Sequence, residues 1–162
     1  AQQLFLGRLS NDVLYRRKTL GVWQPWVQLW TAEKLTYEEG SWTPVISGST
    51  TTGSNTYTTQ RGFYLRQNNW VTIVANIVLS SKDTAMAGNI IVGGLPFVPH
   101  STGASAIEFS NVSVPDLVGV SGRPDNMQLR LFALTTSGIT ALDASAINDN
   151  TQIRLSLSYR MA

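Results

Sequence analysis

Tyr64 and Arg66 stand two residues apart, and the amides of Asn68 and Asn69 follow at once. Residues i and i+2 of an extended chain share a face, so a phenol ring, a guanidinium and two amides would gather at one strand end. That set suits a sugar: a flat aromatic face for C–H groups, with donors and acceptors for hydroxyls and no need for formal charge. The alternation Phe63, Leu65 against Tyr64, Arg66 assigns the first pair to the core and the second to the outside, where the same residues would equally serve as a solvated face or a subunit interface. Trp23 and Trp26, flanking Pro25, form a second stiff apolar surface, although so small a segment also needs its tryptophans for packing. Arg123, Asp125 and Asn126, in the stretch Ser121 to Asn126, are a third ligand-binding group. The loop Ser80 to Thr84 is a fourth, and turn chemistry alone also accounts for the polar residues of both loops.

Catalysis is poorly served by the same inventory. Hydrolysis of a glycosidic bond needs two facing carboxyl groups, whereas adjacent Glu38 and Glu39 would point to opposite sides of a strand. Asp116, Asp125, Asp143 and Asp149 lie in turn-like contexts, and no phosphate loop, nucleophile elbow or zinc helix is present. There is no cysteine, and His100 is the single histidine. One imidazole builds no metal site within a chain; three brought together on a threefold axis would, but a surface-loop histidine is the simpler reading. No catalytic residue, metal or cofactor is therefore assigned, and the chain is read as a non-enzyme.

The elements that must hold these groups are strands. Ser, Thr, Asn and Gln make up 51 of 162 residues, whereas only 14% are charged. Such a neutral, hydroxyl-rich composition favours strands and turns over helix. Net charge is only +2, too weak a field for nucleic acid, and no apolar run is long enough to span a membrane as a helix. The opening residues lack an initiator Met and a signal-peptide pattern, which reads as a piece of something larger. Ile153 to Arg160 alternates apolar and polar residues strictly, and Met127 to Leu131 does the same. In Trp70 to Leu79, Val71, Ile73, Ala75, Ile77 and Leu79 share one face while Val74 and Val78 occupy the other, which predicts a strand covered on both sides. Gly62 to Arg66 precedes it across the hairpin loop Gln67-Asn68-Asn69. Trp42, Trp70, Phe63, Phe97, Phe109 and Tyr159 are assigned to the core, and Ala141 to Ile147 to at most one helical turn.

Charge and aromatics divide the chain. Residues 1–34 carry +3 and three of the five tryptophans; the remainder carries −1. The first part reads as one hairpin, Val13 to Arg17 and Val27 to Trp30 around Thr19-Leu20-Gly21, too small to fold alone. The expected organisation is residues 1–34 as a small β subdomain or linker and residues 35–162 as an antiparallel, jelly-roll-like β-sandwich.

Tyr37-Glu38-Glu39-Gly40-Ser41-Trp42-Thr43-Pro44, the Ser/Thr/Gly tract to Gly53, Tyr57 to Tyr64, Trp70-Val71-Thr72 and Asn89 to Phe97 together resemble the C-terminal receptor-binding domain of bacteriophage tail fibres and tailspikes. Tyr15-Arg16-Arg17 and Trp23 to Thr31 resemble the small knob repeats along such fibres. The resemblance implies a homotrimer at the distal end of a virion tail fibre, joined to the rest of the fibre and touching bacterial surface polysaccharide, lipopolysaccharide or capsule, for host attachment. It implies neither nucleic-acid binding nor membrane insertion. The alternative is a trimerisation and folding cap that binds no receptor.

Overall fold

The structure, a computed structural model, describes residues 1–6, 13–29, 36–100 and 105–162. Its contacts separate two units, Ala1–Thr36 and Tyr37–Ala162. Trp30, at the end of the expected first hairpin, and Glu33 and Lys34 lie outside the described residues.

The first unit is larger in strand content than one hairpin. Strands β1 (Gln2–Leu6), β2 (Val13–Thr19), β3 (Val22–Trp23) and β4 (Val27–Leu29) form one antiparallel sheet in which β2 pairs with the other three. Leu20 and Gly21 turn the chain with φ of 51° and 82°, the paired positive values of a tight hairpin turn. Gln24-Pro25-Trp26 breaks the ladder between β3 and β4, where a proline without an N–H belongs. None of the described residues of this unit is buried.

The second unit is an all-β sandwich. Ten strands follow: β5 (Tyr37–Trp42), β6 (Val45–Gly48), β7 (Thr56–Gln67), β8 (Trp70–Ser81), β9 (Ile90–Gly93), β10 (Ser105–Val112), β11 (Leu117–Asp125), β12 (Gln128–Thr135), β13 (Gly138–Ala141) and β14 (Ile147–Arg160). They pair, all antiparallel, in the order β5-β7-β8-β14-β10-β11-β12-β9-β6, with β13 added beside β12. A 3-10 turn at Ala144–Ala146 precedes β14, capped by the Asp143 carboxylate. Strands from both ends of this path contribute to a single core. Val71, Ile73, Ile77 and Leu79 of β8 and Ile153, Leu155, Leu157 and Tyr159 of β14 share one core with Leu129 and Leu131 of β12, Ile90 and Val92 of β9 and Ile46 of β6.

The hairpin β7–β8 corrects the expected facing of its side chains. Its loop holds two residues, Asn68 and Asn69, because Gln67 pairs with Trp70; Asn68 takes the left-handed φ of 55° that asparagine tolerates. Shortening the loop from three residues to two shifts the register by one, and a shift of one exchanges the faces. Tyr64 therefore stands opposite Ile73 and Arg66 opposite Val71, on the core side, while Phe63 opposes Val74 and Leu65 opposes Thr72 on the outside. Phe63 and Trp70, both expected in the core, are exposed; Trp42 and Tyr159 are buried as expected. The outer face of β8 is only partly covered among the described residues: Val74 is exposed there and Val78 is half-buried.

Two glycines explain how bulky rings fit on the inner face of β5 and β7. Gly40 pairs with Tyr64 and Gly62 with Trp42. A Cβ at Gly40 would meet the Tyr64 ring at 2.7–2.8 Å, and one at Gly62 would lie 2.5–2.7 Å from the Trp42 indole. Each aromatic lies across the glycine opposite it, Gly40 on the edge strand β5 and Gly62 on its neighbour β7, a device that stabilises glycines in sheets.

Candidate functional site

The group around Tyr64 is an interlocked cluster. The Tyr64 hydroxyl donates to Glu38 Oε1 at 2.9 Å, and Arg66 Nη1 donates to Glu38 Oε2 at 3.2 Å. Phe97, in the segment after β9, receives the Tyr64 ring edge-on at a centroid distance of 5.2 Å, and the Arg66 guanidinium lies 5.3 Å from its centroid. Arg66 Nε also donates to the Asn68 carbonyl at 3.0 Å, and the Asn69 carbonyl accepts from Met161 N at 2.8 Å. The Tyr64 pKa is raised, first because Glu38 accepts its proton's hydrogen bond. Tyr64, Arg66, Asn68 and Asn69 are thus brought together, but their strongest groups are engaged with one another, with Glu38 and with the C-terminus. Glu39 faces the other way and accepts from the Tyr37 hydroxyl, so the two glutamates diverge as their adjacency predicts.

In the first unit Arg16 occupies the aromatic surface. Its guanidinium carbon lies 4.7 Å from the Trp23 centroid and 4.4 Å from that of Trp26, and its Nε donates to Gln3 Oε1 at 2.7 Å. Phe5 meets Trp26 edge-on. A cation clasped between two indoles takes the space that a sugar would need. The loop Ser80 to Thr84 is likewise explained by turn chemistry. Asp83 accepts from Ser54 N at 2.7 Å and Ala85 N at 2.8 Å, bonds that lower its pKa, and Asp149 accepts from Lys82 N. His100 is exposed, and no metal-holding group of three or more His, Asp or Glu occurs among the described residues.

The third predicted group gains partners. Asn126 sits in the two-residue turn between β11 and β12 with φ of 55°. Arg123 and Asp125 point outward from β11, and the register sets Arg123 directly opposite Arg130. Asp125 Oδ2 accepts from Arg130 Nη2 at 2.7 Å, and the Arg123 guanidinium lies 4.6 Å from the Phe132 centroid. Arg130, Phe132 and Gln128 were not singled out from the sequence, yet the alternation of Met127 to Leu131 already places Gln128 and Arg130 on the wet side. Beyond them β12 changes partner: Arg130 pairs with Ile91 of β9, whereas Phe132 pairs with Ala141 of β13. The ladder forks there, and a cavity of about 150 Å³ opens between Ser49, Asn89, Gln128, Arg130 and Phe132.

No family model matches this sequence, and no curated protein matches it. Among solved structures, the Dettilon tailspike protein is similar, with a TM-score of 0.63 at 16% sequence identity. The likeness covers 78% of this chain and 24% of the tailspike chain. The fold is therefore shared with a minor part of a phage tailspike.

Proposed function

We propose that the chain is the receptor-binding tip of a bacteriophage tail fibre or tailspike, a homotrimer that attaches the virion to a glycan on the bacterial surface. One observation carries this reading: the two outer faces of the sandwich differ. On the β5–β7–β8 side, Tyr37, Phe63, Leu65, Trp70 and Val74 are all exposed. Exposed apolar side chains in this number, even with Glu39, Arg61 and Arg154 exposed among them, are suited to burial against copies of the same chain. On the opposite side β11, β12 and β9 present guanidinium, carboxylate and carboxamide groups around a cavity. One face assembles and the other remains available to a ligand. The fold shared with part of the Dettilon tailspike protein supports a place in a phage tail, and trimeric presentation would let weak single sites hold a cell by avidity.

The test is adsorption of the purified, fluorescently labelled chain to a panel of bacteria with and without their surface polysaccharide, beside sedimentation of the same sample. Trimers that bind cells and lose binding when the polysaccharide is removed are expected. Trimers that bind no cell of a broad panel would favour the folding-cap reading, to which the self-satisfied Tyr64 and Arg16 clusters already lend some weight. Release of reducing ends from the polysaccharide would identify an enzyme instead.

A further inference from the structure

The fork in the β12 ladder has the attributes of a small ligand site. Sheet faces are ordinarily filled by neighbouring side chains, but between Arg130 and Phe132 the adjacent strand ends and another begins, so the face is indented. Polar groups without partners line the indentation. Among the described residues the side-chain carboxamides of Asn89 and Gln128 make no hydrogen bond, and the Ser49 hydroxyl accepts from Asn89 N at 2.9 Å while its own proton remains free. Phe132 is also part of the lining. At about 150 Å³ the space is well under the roughly 300 Å³ where pockets for drug-sized ligands begin, which limits it to about one sugar ring.

Charge decides the class of ligand. Arg123 and Arg130 are direct cross-strand neighbours, and like charges in that position repel. Asp125 neutralises one of the two, through a single bond to Arg130 Nη2. Arg123 is turned onto Phe132. A guanidinium has five N–H donors, so Arg130 retains others, and the cluster keeps a net positive charge beside unpartnered amides. An anion would relieve the repulsion that the register imposes, and amides and a hydroxyl beside it would hold ring hydroxyls.

Building on the receptor-binding reading, we propose that this cavity is a subsite for one acidic sugar residue of a polysaccharide, a uronic acid or similar, its carboxylate held by Arg130 and its hydroxyls by Asn89, Gln128 and Ser49. The experiment titrates the ¹⁵N-labelled full chain with methyl glucuronide, methyl glucoside and acetate, following the side-chain amide signals of Asn89 and Gln128. Methyl glucuronide should shift both signals saturably and bind about tenfold or more tightly than the glucoside, the contribution of one charge-assisted hydrogen bond. Arg130→Gln should abolish that preference, and Asn89→Ala should weaken both sugars; both positions are exposed, so an unchanged melting temperature certifies each variant. Equal affinity for glucuronide and glucoside would overturn the acidic class, and acetate binding as tightly as glucuronide would reduce the cavity to a bare anion site. No shift at either amide would overturn the subsite even if the chain adsorbs to cells. Saturable glucuronide binding in a chain that adsorbs to no cell would support the subsite and sink the receptor reading instead.

Discussion

If the chain assembles as the proposed trimer, replacing Phe63 by serine should dissociate it while leaving the single chain folded. Phe63 is 58% exposed, on the same face as Trp70 at 59% and Tyr37 at 62%. An aromatic side chain of about 200 Å² with that exposure leaves about 110 Å² for a partner to cover. At about 25 cal/mol per Å² this stabilises the assembly by up to about 3 kcal/mol per chain. Ordering the ring at the interface costs about 0.5–1 kcal/mol, leaving about 2 kcal/mol. Three copies make about 6 kcal/mol, or roughly 10⁴-fold in the trimer association constant. Within the chain the loss falls on the cross-strand neighbours Val74 and Ser41, about 1 kcal/mol. Sedimentation equilibrium of wild type and Phe63→Ser from nanomolar to tens of micromolar, with β-sheet circular dichroism of each, reads both quantities. Val118→Ser, at a residue 69% exposed on β11 outside the patch, is the control and should not alter association. A wild-type chain that sediments as a monomer, or a Phe63→Ser trimer as tight as wild type, would refute the assignment of this face.

Gly62→Ala should destabilise the fold by about 1–3 kcal/mol in a denaturant titration, since its Cβ would stand 2.5 Å from Trp42 Nε1 in a packed site with a rigid ring as neighbour. Asp83 and Asp143 have pKa values lowered from 3.8, each first by a backbone N–H it accepts from. A depressed folded-state pKa stabilises above the unfolded value and is lost as pH falls through the folded one. The melting temperature should therefore decline as pH drops below 3.8, and the Asp83→Asn, Asp143→Asn double variant should decline less steeply. Residues 37–162 expressed alone should melt cooperatively, because every buried core residue among those described lies within them; a chain that is unfolded without residues 1–36 would show the first unit to be integral.

The sequence makes the class of fold plain because the strands that build the core alternate so regularly. Val71, Ile73, Ala75, Ile77 and Leu79 are inward as their period implies, and β14 and β12 follow the same rule. What it obscures is parity. The polar run Gln67-Asn68-Asn69 is compatible with a loop of three residues or two, and only the two-residue loop puts Tyr64 on the same side as Ile73. The inward pattern of β8 together with a tight asparagine turn contains the signal, because paired residues share a face. Hydrophobicity then misleads: Phe63 and Leu65 look like core, but the inner positions of this strand are filled by glycine, tyrosine and arginine, whose partners come from Glu38, 28 residues away from Arg66 in the chain. Long-range partners of this kind also conceal the β12 fork. Ser49, Asn89 and Arg130 lie far apart in sequence, and only the change from β9 to β13 beside one strand brings them together.

The same parity decides where a ligand has room. Glu38, Tyr64, Arg66 and Phe97 clip the end of the sandwich together, and the neighbouring backbone does likewise: Tyr159 donates to the Phe97 carbonyl at 3.0 Å, His100 N to Arg160 O at 2.8 Å, and Ala162 N to Val98 O at 2.9 Å. Burial pushes the Tyr159 hydroxyl up to about 12, so it remains a donor to Phe97 across the physiological range. A ligand that borrowed Tyr64 or Arg66 would have to break an ion pair and leave Glu38 without its partners, a cost of at least one satisfied hydrogen bond for each new one made. The β11–β12 face asks for no such exchange, since Asn89 and Gln128 have unused hydrogen-bonding groups and Arg130 has donors to spare. The proposed binding site is therefore placed on that face, while Tyr64, Arg66 and Arg16, which stand out in the linear sequence, are engaged with partners inside their own units.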